Sequence, residues 1–255
     1  MIRLESHHEM TDYILRLSGS EVAGEGRLHR CYELIFVDSG SVTLEISSND
    51  ERMSAGDAAL VFPGQLHTVR PDGEASFSCA VISPDYLERF DRLHAGTLPD
   101  SAVILSLPSA VRDAVLGEDA GEIVFLAGLY GALSAFDASR TYRAYPAAKL
   151  EFPFRVLEFI GEHYTEDLTL DELSDHLGYD YNYLSGYVSD TFRVGFLRIV
   201  NEHRVLRACE HLVNSDLSVS EIALAAGFDC LRSFNRNFKA VLATTPLAYR
   251  KRERE

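Results

Sequence analysis

Cysteine is scarce and scattered. Cys31, Cys79, Cys209 and Cys230 contain no C-x-x-C pair, which excludes a cysteine zinc site and a disulfide-stapled scaffold and leaves reduced thiols as the simplest reading. Long apolar runs are missing too. The longest uncharged apolar stretch, residues 123–136, has 14 residues, too few to span a bilayer. The opening Met1-Ile2-Arg3-Leu4-Glu5-Ser6-His7-His8 holds no apolar core of a secretory leader, so a cytoplasmic location and no membrane partner are predicted. Positive charge is in short supply: Lys and Arg number 24 against 39 Asp and Glu, a net charge of −15. Such a chain has no whole-molecule attraction for nucleic acid, and any DNA contact must be local. What is present is ordinary globular composition, 46% apolar and 25% charged over 255 residues, enough for one and a half to two domains.

Residues 27–82 read as short strands. The stretch 31–37 is rich in aliphatic and aromatic side chains, Asp38-Ser39-Gly40 breaks it, 41–46 alternates and 47–50 turns again. Another apolar run at 58–62 closes on Pro63-Gly64, and 76–82 is one more. Strands at this spacing suggest a barrel or sandwich. Beyond Pro84 the period becomes helical, at 85–93, 109–116 and 119–138. The last of these is apolar on nearly every side, with Ile123, Leu126, Tyr130 and Leu133 in one stripe and Phe125, Leu129 and Phe136 in another, as suits a buried core helix or a dimer interface. Residues 139–153, with Pro146 and Pro153 among them, are the predicted linker. The expected fold class is α+β: a β-barrel unit at 1–100, a helical connector at 101–145 and an all-α domain at 151–255.

The helical domain contains a repeat. Leu168-Thr169-Leu170-Asp171-Glu172-Leu173 aligns with Leu217-Ser218-Val219-Ser220-Glu221-Ile222, and Gly178-Tyr179-Asp180 with Gly227-Phe228-Asp229. Thr169 with Glu172, and Ser218 with Glu221, are capping boxes that fix where a helix begins. Gly178 and Gly227 can take the left-handed conformation that ends it. A second helix follows in each copy, with Tyr183, Leu184, Tyr187, Val188 and Phe192 expected to pack inward in the first and Phe234, Phe238 and Leu242 in the second. Helix, glycine turn and helix make a DNA-reading motif, and a continuous helix over 196–212 would join the two copies.

This stretch closely resembles the AraC/XylS family of transcription regulators. The resemblance is carried by Leu184-Ser185, Phe196, Arg204, Ala208, Leu212, Glu221-Ile222-Ala223, Gly227-Phe228, Ser233-Phe234, Arg236, Phe238-Lys239, Thr245-Pro246 and Tyr249-Arg250. It implies a double helix-turn-helix domain that binds promoter DNA, works with RNA polymerase and often forms homodimers. Four positions depart from the family pattern. Gly186 and Ser189 lie opposite Arg236 and Lys239, while Arg193 and Ala243 occupy positions where the family usually has glycine. Residues 151–212 carry five basic against twelve acidic side chains, and residues 213–255 seven against five. The second copy is therefore expected to supply most of the affinity. Leu231, Arg232, Asn235 and Arg236, with Tyr181, Asn182 and Ser185 in the first copy, are the candidates for base contacts; Lys239, Arg250, Lys251 and Arg252 are the candidates for phosphate. Cys230, beside the second reading helix, is expected to be an ordinary buried thiol.

In the first half, a period of two places Arg27, His29, Cys31, Glu33 and Ile35 on one strand face. With Gly40, Gly56-Asp57, Pro63-Gly64 and His67, this stretch resembles the cupin-type sensor that precedes the DNA-binding part in many such regulators. Cupin enzymes hold a metal with His, His, Glu and a later His. Arg27 occupies the first of those positions here, and His29, Glu33 and His67 the others, so no metal or cofactor is assigned. The expected site is a pocket for a small organic effector, anchored by Arg27, His29, Glu33 and His67. Mutual pairing of Arg27 with Glu33 is the structural alternative. Two further alternatives are a metal-dependent cupin enzyme fused to a DNA-binding module and an acidic co-regulator acting through protein contacts. No catalytic residue is assigned.

Overall fold

The computed structural model describes residues 2–4, 14–46, 49–117 and 121–254. The chain forms two compact units, residues 3–154 and, together with Ile2, residues 155–254. No helix among the described residues is long and apolar enough to cross a membrane.

The first unit contains two five-stranded sheets. One runs β1 (Ile2–Leu4), β3 (Gly26–Leu28), β8 (His67–Pro71), β5 (Ser41–Ile46) and β6 (Asn49–Ser54). The other runs β11 (Val103–Ile104), β7 (Ala58–Val61), β4 (Tyr32–Ser39), β9 (Ser76–Ile82) and β2 (Ile14–Ser18), with every neighbouring pair antiparallel. Strand alternation in β4 explains its unbroken apolar run. Ile35 and Val37 join Val42, Leu44 and Met53 in one core, while Tyr32, Leu34 and Phe36 join a second core on the opposite face. That second face is covered by α4 (Glu122–Asp137), through Phe125, Leu129, Leu133 and Phe136.

This packing corrects the expected division into sensor and connector. Residues 101–145 belong to the first unit, because a sheet that is apolar on both faces must be covered on both. β11 adds an edge strand to the sheet, α3 (Ser109–Leu116) contributes Val115 to the second core, and α2 (Glu88–His94) contributes Phe90. Of the two stripes read on α4, the one containing Phe125, Leu129 and Phe136 is buried, whereas Ile123 and Tyr130 are exposed.

Residues 139–153 are not a linker either. β12 (Tyr142–Ala144) pairs with β10 (Thr97–Pro99), and α5 (Ala147–His163) starts directly after Pro146. Pro153 sits inside α5. It forfeits one backbone hydrogen bond, and the buried neighbours Phe152 and Phe154 keep the helix continuous.

The second unit consists of α6 (Leu170–Leu177), α7 (Tyr181–Phe192), α8 (Phe196–Asn214), α9 (Val219–Ala225), α10 (Leu231–Leu242) and α11 (Pro246–Arg254), following the end of α5. Both capping boxes form. The Thr169 and Ser218 hydroxyls each accept from the N3 amide at 3.2 Å, and Glu172 and Glu221 accept in return from the cap amides at 2.8 and 2.7 Å. Gly178 ends α6 with φ 72°, and Gly227 follows α9 with φ 82°. Copy two is closed by a core of Val205, Ala208, Leu212, Ile222, Phe234 and Phe238.

Candidate functional site

α10 has two faces. Phe234 and Phe238 are fully buried, while Leu231, Arg232, Asn235, Arg236 and Lys239 are all exposed, so the candidates in copy two share one outward face. α10 carries three basic side chains and no acidic one. α7 has the same length and inward register, with Leu184, Val188 and Phe192 buried. Tyr181 and Asn182 are exposed and Ser185 is half-buried. Tyr183 is also exposed rather than packed inward, a correction that follows from its place one residue before buried Leu184. α7 contains no basic residue and one acidic residue, Asp190. Gly186 and Ser189 are exposed where α10 has Arg236 and Lys239.

Arg193 and Ala243 close α7 and α10 in the left-handed region, at φ 56° and 52°. The helices therefore end where glycine would end them, at the cost of a strained backbone. Cys230 is exposed, correcting the expectation of a buried thiol; as the N-cap of α10 it lies just outside the helix whose inner face is buried.

The phosphate candidates divide. Lys239, Lys251 and Arg252 are exposed, with Arg252 paired to Glu253 at 2.7 Å. Arg250 is half-buried and donates to the Leu217 carbonyl at 2.6 Å, which holds α11 against the approach to α9. Arg254, not singled out from the sequence, does similar work through the Leu212 and Val213 carbonyls at 3.0 and 3.1 Å. Arg204 of α8 donates to the Tyr164 and Glu166 carbonyls at 2.7 and 2.6 Å and lies over the Phe228 ring. No local pattern marked that bridge.

In the first unit, Arg27, His29, Glu33 and His67 come together as the strand period requires, but they close on one another. All four are at most 3% exposed. Arg27 donates to Glu33 Oε1, and His29 Nε2 and His67 Nε2 both lie 2.9 Å from Oε2. The two Nδ1 atoms face the Cys31 and Gln65 carbonyls at 3.0 Å. Burial by itself would raise the Glu33 carboxyl, yet His67, His29 and Arg27 outweigh it and hold it well below the usual carboxylate range. Arg27 also donates to Cys79 Sγ at 3.7 Å, and burial pushes that thiol up and keeps it protonated.

The four expected effector anchors satisfy one another as an ion cluster, because charges taken out of water must be paired. One ligand atom each from His29, Glu33 and His67 lies within 4.8 Å of the others, a donor set a transition metal accepts. Arg27 already brings a cation to the same carboxylate, which does not fit a metal as the partner of Glu33.

Two helix, glycine turn, helix copies, the second with three cations on α10, define a chain with a helix-turn-helix unit and a separate β-sheet unit. The comparisons agree. The family described as "AraC-like ligand binding domain" matches residues 15–123, and the family described as "Helix-turn-helix domain" matches residues 173–252. The chain belongs to the AraC-type helix-turn-helix regulators. An uncharacterized HTH-type transcriptional regulator of Staphylococcus aureus is 36% identical over 96 residues, which cover 38% of this chain and 13% of that protein. The regulatory protein PocR of Salmonella typhimurium is 32% identical over 101 residues, 40% of this chain and 33% of that protein. The matches therefore span a minor part of these relatives. The solved structure of ToxT from Vibrio cholerae covers 94% of this chain and 97% of its own at 13% identity and a TM-score of 0.51, a likeness of fold.

Proposed function

We propose that the chain is a cytoplasmic, sequence-specific transcription regulator whose second unit reads promoter DNA and whose first unit binds a small organic effector. The outward face of α10 carries this reading. Arg232, Asn235 and Arg236 stand together there in exposed positions, with Lys239 one turn on. Arg matches guanine and Asn matches adenine through paired hydrogen bonds in the major groove, and a lysine beside them suits phosphate. Copy two supplies most of the affinity and copy one adds contacts from Tyr181, Asn182 and Ser185. The remaining phosphate contacts come from Lys251 and Arg252, whereas Arg250 acts mainly as an internal brace.

The effector acts by shifting the populations of DNA-competent states. The reading includes a homodimer, supported by exposed Ile123, Val124 and Tyr130 on α4, and a contact with RNA polymerase. No catalytic step is assigned to it. Footprinting of the full chain on genomic DNA tests the reading. Protected sites are expected, and Arg236→Ala should weaken them by about 1 to 3 kcal/mol, far more than Ser185→Ala. Absence of any protected site would overturn it, and equal losses would overturn the dominance of copy two.

A further inference from the structure

The ion cluster leaves the first unit without an open anchor at Glu33, but a cavity of about 120 Å³ lies beside it. Its wall includes Gln65, two residues from His67, together with Ile46 of β5, Leu98 of β10 and Arg143 of β12. At roughly 15 Å³ per water-sized group, the space holds about eight such groups.

The polar groups around this cavity are unevenly committed. Gln65 is 9% exposed, and its Oε1 accepts from the Phe62 amide at 2.9 Å. Among the described residues nothing meets its Nε2 amide, the Arg143 guanidinium or the Tyr145 hydroxyl in a hydrogen bond. The Gln65 side chain lines the cavity, so its amide has two N–H donors to offer a ligand there. The two carboxylates of the wall are partly used. Glu51 accepts from the Ser101 hydroxyl and from the Ala102 amide at 3.0 Å, and Asp100 accepts from the Thr141 hydroxyl at 2.6 Å. Each keeps lone pairs in reserve, since a carboxylate accepts about four bonds.

One cation, two anions and two neutral donors do not suit a simple anion, which the carboxylates would repel. They do not suit a simple cation either, which would leave Arg143 and the Gln65 amide unanswered. We propose that this cavity binds a small zwitterion, an α-amino acid with a short side chain. Its carboxylate lies on Arg143 and Gln65, its ammonium on Asp100 and Glu51, and its side chain against Ile46 and Leu98. The proposal deepens the effector reading above and rests on it for the ligand's regulatory role. It also supplies a route. The Gln65 carbonyl accepts from His67 Nδ1, so a ligand on the Gln65 amide pulls on the same short segment that positions the ion cluster.

Calorimetry on the full chain tests it, with L-alanine and L-valine as probes, propionate and ethylamine as analogues lacking one charge, and L-phenylalanine as an oversized control. Alanine or valine is expected to bind once per chain, with both single-charge analogues at least tenfold weaker and phenylalanine not bound. Arg143→Ala and Asp100→Asn, both at exposed positions that leave the core untouched, should each weaken binding at least tenfold. No binding of either amino acid, propionate binding as tightly as alanine, or unchanged affinity in Arg143→Ala would overturn the site. Footprinting of the same samples separates the two readings. Intact DNA protection without amino-acid binding overturns this site alone, and amino-acid binding without DNA protection overturns the regulatory reading alone.

Discussion

Gly186 and Ser189 offer a direct way to ask whether the outer face of α7 meets DNA. The two positions correspond to Arg236 and Lys239 in a helix of the same length, and both are exposed. A Cβ added at Gly186 would meet nothing within 4 Å. The pair Gly186→Arg with Ser189→Lys therefore restores two cations without disturbing the core. Each phosphate neutralised adds about 0.9 to the slope of log K against log salt, so two new contacts add roughly 1.8. Between 50 and 200 mM salt the variant should lose roughly tenfold more affinity than the parent, having gained at least that much at the lower salt.

Replacing a mid-helix glycine also stabilises α7 by about 0.5 to 1 kcal/mol. Gly186→Ala with Ser189→Ala separates that effect, since it alters the helix without adding charge. Fluorescence anisotropy on a duplex containing a footprinted site, over a salt series, reads both quantities. A slope unchanged by the added cations, with the helix intact, would show that α7 turns this face away from DNA and would refute the two-headed reading.

Glu33→Gln leaves Arg27 buried beside a neutral amide, and breaking such a pair typically costs about 3 to 5 kcal/mol; hydrogen exchange at the β4 amides should accelerate to match. Because the folded Glu33 carboxyl lies below its unfolded value, its stabilisation is complete above about pH 4.3 and is lost as pH falls from there through the folded value, a slope the Gln variant should lack. Ala243→Gly should stabilise copy two by roughly 1 kcal/mol, since the left-handed backbone at φ 52° penalises alanine; a lower melting temperature would contradict this. Gly227→Ala should destabilise the same unit by at least about 2 kcal/mol, because φ is 82° and the new methyl would lie 2.5 Å from the Tyr164 carbonyl oxygen. Thermal unfolding of that variant checks it.

Features set by neighbours in the chain were legible before any coordinates. Capping boxes, glycine turns and the apolar spacing of α7 and α10 are decided within a few residues, and they formed, apart from Tyr183, which faces outward. The alternation that put Arg27, His29 and Glu33 on one face is equally local. What those groups do with one another is not, since His67 joins them from β8, a strand that carries no long apolar run. β6 was missed for a related reason: Asn49-Asp50-Glu51-Arg52-Met53-Ser54 is polar, with only Met53 buried, and it forms because β5 pairs with it. Proline misled at α5, where burial of Phe152 and Phe154 outweighs one lost hydrogen bond. The amino-acid cavity had no signal at all. Gln65, Asp100 and Arg143 are assembled from separate loops and strands, and none stands in a periodic pattern.

The charge difference between the copies also has a mechanical consequence. Arg204 on α8 bonds the Tyr164 and Glu166 carbonyls, which lie just before copy one, and rests over Phe228 in the turn of copy two; Gly227 lets that turn approach Tyr164. The two heads are therefore fastened to each other through one side chain as well as through α8. On the proposed reading, copy two docks by its cations and copy one is then presented to the neighbouring groove without a further search, so its binding would be governed by effective concentration rather than by its own charge. An acidic first head is tolerable on those terms. Its contacts can be tuned to bases, through Asn182 and Ser185, because it does not need phosphate neutralisation to find the duplex. Cutting the strut with Arg204→Ala should then cost promoter affinity out of proportion to a residue that touches no DNA, while leaving the salt slope of copy two in place. A loss accompanied by a reduced slope would instead mean that Arg204 meets phosphate itself.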